Sequence, residues 1–203
     1  MKIICIGRNY AAHAGELKNE IPDKPVFFLK PDTALLPNGR PFYIPDFSSD
    51  IHYEVELVYK ISKEGKNIEE SFAHRYYDQL GLGIDFTARD VQDYQKSKGL
   101  PWEPAKAFDN SAPVGIFINK ADMTAEKGIE FSLTKNGETV QIGNSEMMLH
   151  SIDKIISYVS GFITLKKGDL IFTGTPAGVG KVSKGDRLEA FLQGKLNLKV
   201  EIL

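Results

Sequence analysis

The sequence predicts a β-rich α+β domain, and three observations carry that expectation. Apolar residues recur at period two in many short runs, turn signals such as Asn136-Gly137 separate them, and only three or four stretches show helical spacing. Length allows it. The 203 residues are expected to form a single domain, 1–203, with enough chain to bury a core without staples.

The run from Ile51 to Ile61 organises the rest. Ile51, Tyr53, Val55, Leu57, Tyr59 and Ile61 fall on one face of a strand, with His52, Glu54, Glu56, Val58 and Lys60 on the other. Glu54 and Glu56 therefore stand side by side, roughly 7 Å apart along the backbone. Like charges that close repel, and a cation between them would relieve the repulsion.

Taken in order, residues 2–6 read as a strand ending at Gly7, and 11–18 as a helix-compatible stretch. His13 and Glu16 share a helical face at i and i+3. That spacing suits an exposed His–Glu contact or a base dyad whose carboxylate fixes the imidazole tautomer. Pro22 and Pro25 make 19–25 a loop and a plausible hinge, 26–29 is a buried-type strand, and 31–45 is turn-rich. Beyond the central strand come a turn at 63–66, a short helix at 68–74 and a strand at 79–86. On that strand Leu80, Leu82, Ile84 and Phe86 share one face, while Gly81 and Gly83 leave space beside Asp85. Thr87 and Asp90 have capping-box spacing and open a helix through Lys98, closed by Gly99. Asp85 is then a turn acid, a cap acid or a site acid at a strand end.

Residues 100–110 read as a proline-punctuated loop, in which Lys106 by itself is an ordinary surface lysine. Strands follow at 114–118, 129–134 and 138–142, the last two joined by the Asn136-Gly137 hairpin. Ser151 caps a helix with an apolar stripe of Ile152, Ile155, Ile156 and Val159, ended by Gly161. A strand at 169–173 leads into the glycine-rich segment 174–180. Strands at 187–192 and 195–202 close the chain, and in the second Leu196, Leu198, Val200 and Ile202 alternate with polar residues.

Charge and motifs exclude several functions. Twenty-five basic against 27 acidic residues leave a net charge of -2, which argues against nucleic acid as a partner and offers no polybasic membrane signal. No apolar run approaches the length of a membrane span, and no leader segment is apparent at Met1. Cys5 is alone, so no intramolecular disulfide forms, and a reducing compartment, the cytoplasm by default, is expected. The 174–180 segment lacks P-loop spacing, no G-x-G-x-x-G follows the first strand, and neither a G-x-S-x-G elbow nor H-E-x-x-H occurs. With only carboxylates as candidate ligands, the ion should be hard, Mg²⁺ or Mn²⁺ ahead of Zn²⁺.

Several segments together carry a resemblance. They are Gly7-Arg8-Asn9-Tyr10, His13-x-x-Glu16, Phe28-Leu29-Lys30-Pro31, His52-Tyr53-Glu54-Val55-Glu56-Leu57, Asp85-Phe86-Thr87-Ala88-Arg89-Asp90-Val91-Gln92, Gly99-Leu100-Pro101-Trp102, Ala105-Lys106 and Thr173-Gly174-Thr175-Pro176-Ala177-Gly178-Val179-Gly180. In this order the chain resembles the fumarylacetoacetate hydrolase family, in its short acylpyruvate hydrolase and oxaloacetate decarboxylase/tautomerase branch. The resemblance implies rolled mixed β-sheets with short peripheral helices, and one Mg²⁺ or Mn²⁺ per chain held by Glu54, Glu56 and Asp85. It also implies a His13–Glu16 base dyad on a mobile lid spanning 8–25, an active-site Lys106, and substrate contacts from Arg8, Gln92 and Thr175. Two departures stand out: Ala107 replaces the serine many relatives carry, and Asn144-Ser145 replaces Asn-Thr.

The activity implied is C–C hydrolysis of acylpyruvates through a pyruvate enolate, with decarboxylation or tautomerisation of oxaloacetate at the same centre. His13 would activate water for hydrolysis, whereas decarboxylation needs no water. A dienedioate isomerase sharing the metal site, and a non-catalytic metal-binding β-domain, are the alternatives. The expected partner is a small 2-oxo acid, and relatives suggest a homodimer.

Overall fold

In the computed structural model, residues 1–12, 22–123 and 128–203 are described. His13 and Glu16 lie outside them, as does half of the expected lid, residues 13–21. The chain forms the strands β1 (Ile3–Gly7), β2 (Val26–Lys30), β3 (Leu35–Pro37), β4 (Ile51–Tyr53), β5 (Val55–Ile61), β6 (Tyr77–Ile84), β7 (Thr87–Ala88), β8 (Ala112–Val114) and β9 (Ile118–Asn119). In the second half come β10 (Glu130–Lys135), β11 (Glu138–Asn144), β12 (Leu170–Phe172), β13 (Gly180–Lys181), β14 (Arg187–Leu192) and β15 (Lys195–Glu201). A curled, mixed sheet runs β2-β1-β12-β5-β6-β8-β3, with β9 also paired to β6. A four-stranded sheet, β11-β10-β14-β15, packs against it, and a third, small sheet runs β13-β4-β7.

The centre of the large sheet is apolar on both faces. On one face Val55, Leu57, Tyr59 and Ile61 join Phe131, Leu133, Leu188, Ala190, Leu198 and Val200 of the second sheet. On the other, Val58 packs with Ile3, Cys5, Leu170 and Phe172. Strands buried on both faces read as unbroken apolar runs, as Ile3-Ile4-Cys5-Ile6 and Leu170-Ile171-Phe172 do. Burial of one such Leu or Ile side chain contributes about 1.5–3 kcal/mol.

Several local expectations change. The 51–61 run is two strands, broken at Glu54, where Val55 N–H donates to Gln141 Oε1 instead of a strand neighbour. Gly81 and Gly83 do not leave open space. A Cβ on Gly83 would meet the Phe172 ring at 2.5 Å, and one on Gly81 the Ile116 carbonyl at 2.8 Å, so both glycines admit close packing. Thr87 is a strand residue paired with His52 and does not cap the helix Arg89–Lys98, whose N-cap is Ala88. Gly99 does end that helix, at φ 65°. Residues 100–110 contain one helical turn, Glu103–Lys106. The strand 26–29 is only half-buried, while Lys30 at its end is 1 % exposed.

Ser151 caps the helix Ile152–Phe162 by accepting from Lys154 N–H, but the helix continues through Gly161. The alternation expected at 196–202 also slips. A bulge opposite Ala190 and Phe191 turns Leu196 to solvent and Asn197 inward, where Asn197 bonds the Leu82 amide and the Ile116 carbonyl. Among the described residues, no helix is long and apolar enough to cross a membrane.

Candidate metal centre and active-site cleft

Glu54 lies at the break between β4 and β5, Glu56 within β5, and Asp85 just beyond the end of β6. Pairing of β5 with β6, Val55 opposite Ile84 and Glu56 opposite Gly83, brings the three carboxylates together. One oxygen from each lies within 4.8 Å of the others, and all three residues are at most 5 % exposed. Such a buried, all-oxygen cluster suits a hard divalent ion. Asp85 offers one further sign. Its Oδ1 accepts no well-directed hydrogen bond, although Lys30 Nζ lies 2.8 Å away.

The cations around the acids are equally buried. Lys106 Nζ donates to Glu54 Oε2 at 2.9 Å, to Asp85 Oδ2 at 2.7 Å and to the Thr87 hydroxyl. Burial alone would pull the Lys106 pKa down, but the charges of Asp85 and Glu54 outweigh it and raise the pKa. Lys106 is therefore a fixed positive charge at neutral pH, unsuited to act as a base. Arg89 bonds Glu54 Oε1 through Nη2 and Gln92 Oε1 through Nη1. Lys30, the buried cation behind Asp85, also donates to the carbonyl of Lys106 and to Ser111, so it ties the short helix to the acid it faces.

Hydrogen-bond capacity fixes two orientations. Because Gln92 Oε1 accepts from Arg89, its amide NH₂ is the group left for a ligand. Gln141 Oε1 accepts from Val55 N–H, so its NH₂ donates to Thr175 Oγ1 at 2.9 Å and to the Pro176 carbonyl. The Thr175 hydroxyl must then give its own proton to the Val55 carbonyl, 2.8 Å away. It meets the cleft as an acceptor. Replacing Gln141 by leucine orphans the buried Val55 N–H, at a cost of about 1–3 kcal/mol. Denaturant midpoints should show that loss, and a change below about 0.5 kcal/mol would mean the network is idle.

Glu56 accepts from Gly174 N–H at 2.7 Å, which holds the glycine-rich segment against β5. Gly174 has φ 98°, and a Cβ there would meet Asn9 Cβ at 2.8 Å. Asn9 is wholly buried and bonds the carbonyls of His150 and Thr173. Its neighbour Arg8 adopts φ 60°, an uncommon conformation for a non-glycine residue, and enters the cleft.

Burial, then the charge of Asp85, pushes the Glu56 pKa well above its ordinary 4.5, despite the Gly174 bond and Lys106. The sign follows. A raised folded-state pKa stabilises the protein below about pH 4.5 and withdraws that stability as pH climbs through the folded value. An ion bound to the carboxylate would restore it. The thermal shift produced by Mg²⁺ or Mn²⁺ over a chelator should thus widen from pH 5 to pH 8, and a constant gap would contradict this.

One cleft unites these groups. Its walls include Arg8, Glu54, Glu56, Asp85, Gln92, Lys106 and Thr175, the seven expected site residues that fall in described segments, with Phe28, Arg89, Lys96 and Trp102 beside them. Sequence reasoning gave no role to Lys30, Arg89, Lys96 or Gln141. Lys30 carried one signal, a charge closing an apolar run.

The family described as fumarylacetoacetate (FAA) hydrolase C-terminal matches residues 2–202. A mitochondrial oxaloacetate tautomerase of Bos taurus is 43 % identical over 200 residues, covering 98 % of this chain and 90 % of the relative. The oxaloacetate tautomerase YcgM of Escherichia coli is 42 % identical over 194 residues, covering 95 % and 89 %. Among solved structures, fumarylpyruvate hydrolase from Pseudomonas aeruginosa in complex with Mn²⁺ and pyruvate superposes with a TM-score of 0.94. It is 36 % identical, covering 100 % of this chain and 89 % of that one.

Proposed function

The chain belongs to the fumarylacetoacetate hydrolase family, and from that premise we propose an enzyme that enolises small 2-oxo acids beside a divalent ion. Oxaloacetate tautomerisation or decarboxylation is the first reaction and acylpyruvate C–C hydrolysis the second. The observation that carries the proposal is the convergence of Glu54, Glu56 and Asp85 at the floor of a cleft walled by Lys106, Gln92 and Thr175. These three acids would hold Mg²⁺ or Mn²⁺, which supplies Lewis-acid stabilisation of developing negative charge when bound.

The protein's own groups do the rest. Lys106, kept protonated by Asp85 and Glu54 and only 3 % exposed, sets a positive charge where burial makes charge count for more than it does in bulk solvent. Gln92 offers its NH₂ to a carboxylate or carbonyl oxygen. Thr175 offers a lone pair and therefore suits a hydroxyl donor, such as an enol. The proton-moving role stays with His13 and Glu16, as a proposal from sequence. Hydrolysis as the second reaction draws on the similarity to the fumarylpyruvate hydrolase.

The test follows oxaloacetate and an acylpyruvate spectroscopically with Mg²⁺, with Mn²⁺ and after chelation. Turnover that needs the ion supports the reading, and full activity in excess chelator sinks the metal role. Ion binding without turnover of either compound would instead favour a non-catalytic metal-binding domain. We also propose a homodimer, by analogy, to be read by sedimentation. The lone buried Cys5 is compatible with the cytoplasm, the location we propose, whereas the bovine relative is mitochondrial.

A further inference from the structure

One face of the helix Arg89–Lys98 forms a wall of the cleft. Arg89, Gln92 and Lys96 stand at i, i+3 and i+7, and all three line it. At about 1.5 Å per residue, Lys96 sits roughly 10 Å along the axis from Arg89 and about 6 Å beyond Gln92. The face thus runs from the carboxylate cluster outward and ends in an ammonium group.

Charge distinguishes Lys96 from its neighbours. Arg89 and Lys106 are paired with Glu54 and Asp85. Lys96 is half-buried and rests against the Trp102 ring, 5.8 Å from its centroid. Among the described residues, no carboxylate lies within ion-pair distance of Lys96, or of Arg8 on the same cleft. Burial lowers the Lys96 pKa, and Arg89, Lys106 and Arg8 act in the same direction against Asp93. A lysine crowded by three cations is poorly placed for stability and well placed for an anion. Among the described residues, the cleft's four cations outnumber its three acids, and a divalent ion would add to that excess. A dianion offsets it better than a monoanion.

We propose that Lys96 is a specificity-determining residue that binds the distal carboxylate of a 2-oxo dicarboxylate, with Arg8 beside it. The inference rests on the proposed function and narrows its substrate class to dicarboxylates, in preference to 2-oxo acids with a neutral acyl end. Reach along the helix suits a short diacid, with its 2-oxo end toward the carboxylate cluster and its far end toward Lys96.

The experiment compares the chain with Lys96→Gln and Lys96→Arg on oxaloacetate, a dicarboxylate, and acetylpyruvate, a monocarboxylate. A charged hydrogen bond is worth about 1.5–3 kcal/mol, or roughly 10- to 100-fold. Lys96→Gln should lower the ratio of kcat/KM for oxaloacetate to that for acetylpyruvate at least tenfold, chiefly through KM, and Lys96→Arg should recover most of it. A ratio unchanged in Lys96→Gln, or a loss that Arg fails to restore, overturns the assignment. A second arm reads binding without turnover, as the thermal shift given by oxaloacetate against pyruvate in the presence of Mg²⁺. If neither compound is turned over, the proposed function fails. Lys96 is then judged on that shift alone, which must favour oxaloacetate and lose the preference in Lys96→Gln.

Discussion

Replacing Glu56 by glutamine is expected to lower turnover about a thousandfold while leaving the ion-free protein at least as stable as before. If these acids hold the proposed ion, the activity loss follows from removing one of its three charged ligands, since such an ion contributes several kcal/mol and each ~1.36 kcal/mol is a factor of ten. The stability result follows from burial. Glu56 is 2 % exposed and faces Asp85, so its ionised form is held at a cost that a neutral amide of the same size avoids. Gly174 N–H can still donate to the amide oxygen. Two measurements together decide the matter: kcat with saturating Mg²⁺, and melting temperature with chelator and with ion. Retained turnover removes Glu56 from the ligand set. A lower midpoint in chelator would show that the carboxylate stabilises the fold by itself.

Lys106→Met should also lower activity but have the opposite effect on stability. The methionine fills most of the volume but leaves Glu54 and Asp85 without the ammonium that joins them, and Thr87 without its donor. Breaking a buried ion pair from one side costs about 3–5 kcal/mol. At about 2–4 °C per kcal/mol for a chain of this size, the midpoint should fall by roughly 10 °C. Mg²⁺ should recover part of the fall by supplying positive charge to the same carboxylates, while activity stays low because the fixed charge in the cleft is gone. A midpoint within about 3 °C of the parent, with normal turnover, would make Lys106 a bystander.

These two residues also show what could be read in the chain alone. Period two placed Val55, Leu57, Tyr59 and Ile61 on the buried face, and each is at most 5 % exposed. The same rule put Glu54 and Glu56 on the opposite face, but it carries no information on what buries that face to 5 % exposure or less at both acids. The groups that meet these acids, Arg89 and Lys106 on Glu54 and the Gly174 amide on Glu56, come from segments remote in sequence and leave no trace in a local pattern. Lys106 had no periodicity to betray it. Its burial arises because one helical turn, started by Glu103 and Pro104 in a stretch that reads as loop, points it at two acids. Thr87 misled because the capping-box spacing is local, whereas pairing with His52 and the bond from Lys106 are tertiary and prevail. Asn197 is hidden similarly, since a bulge is a property of two strands and cannot be seen in one.

The pairing of the large sheet sets an order of assembly. The strand with the glutamates is flanked by β12, and Glu56 draws its amide bond from Gly174, 118 residues further on. A growing chain therefore cannot give Glu56 its Gly174 bond, or flank β5 with β12, until roughly six-sevenths of it has been made. Closing so long a loop is entropically slow, so the proposed ion site would be finished late, and an ion captured there would seal a fold already formed.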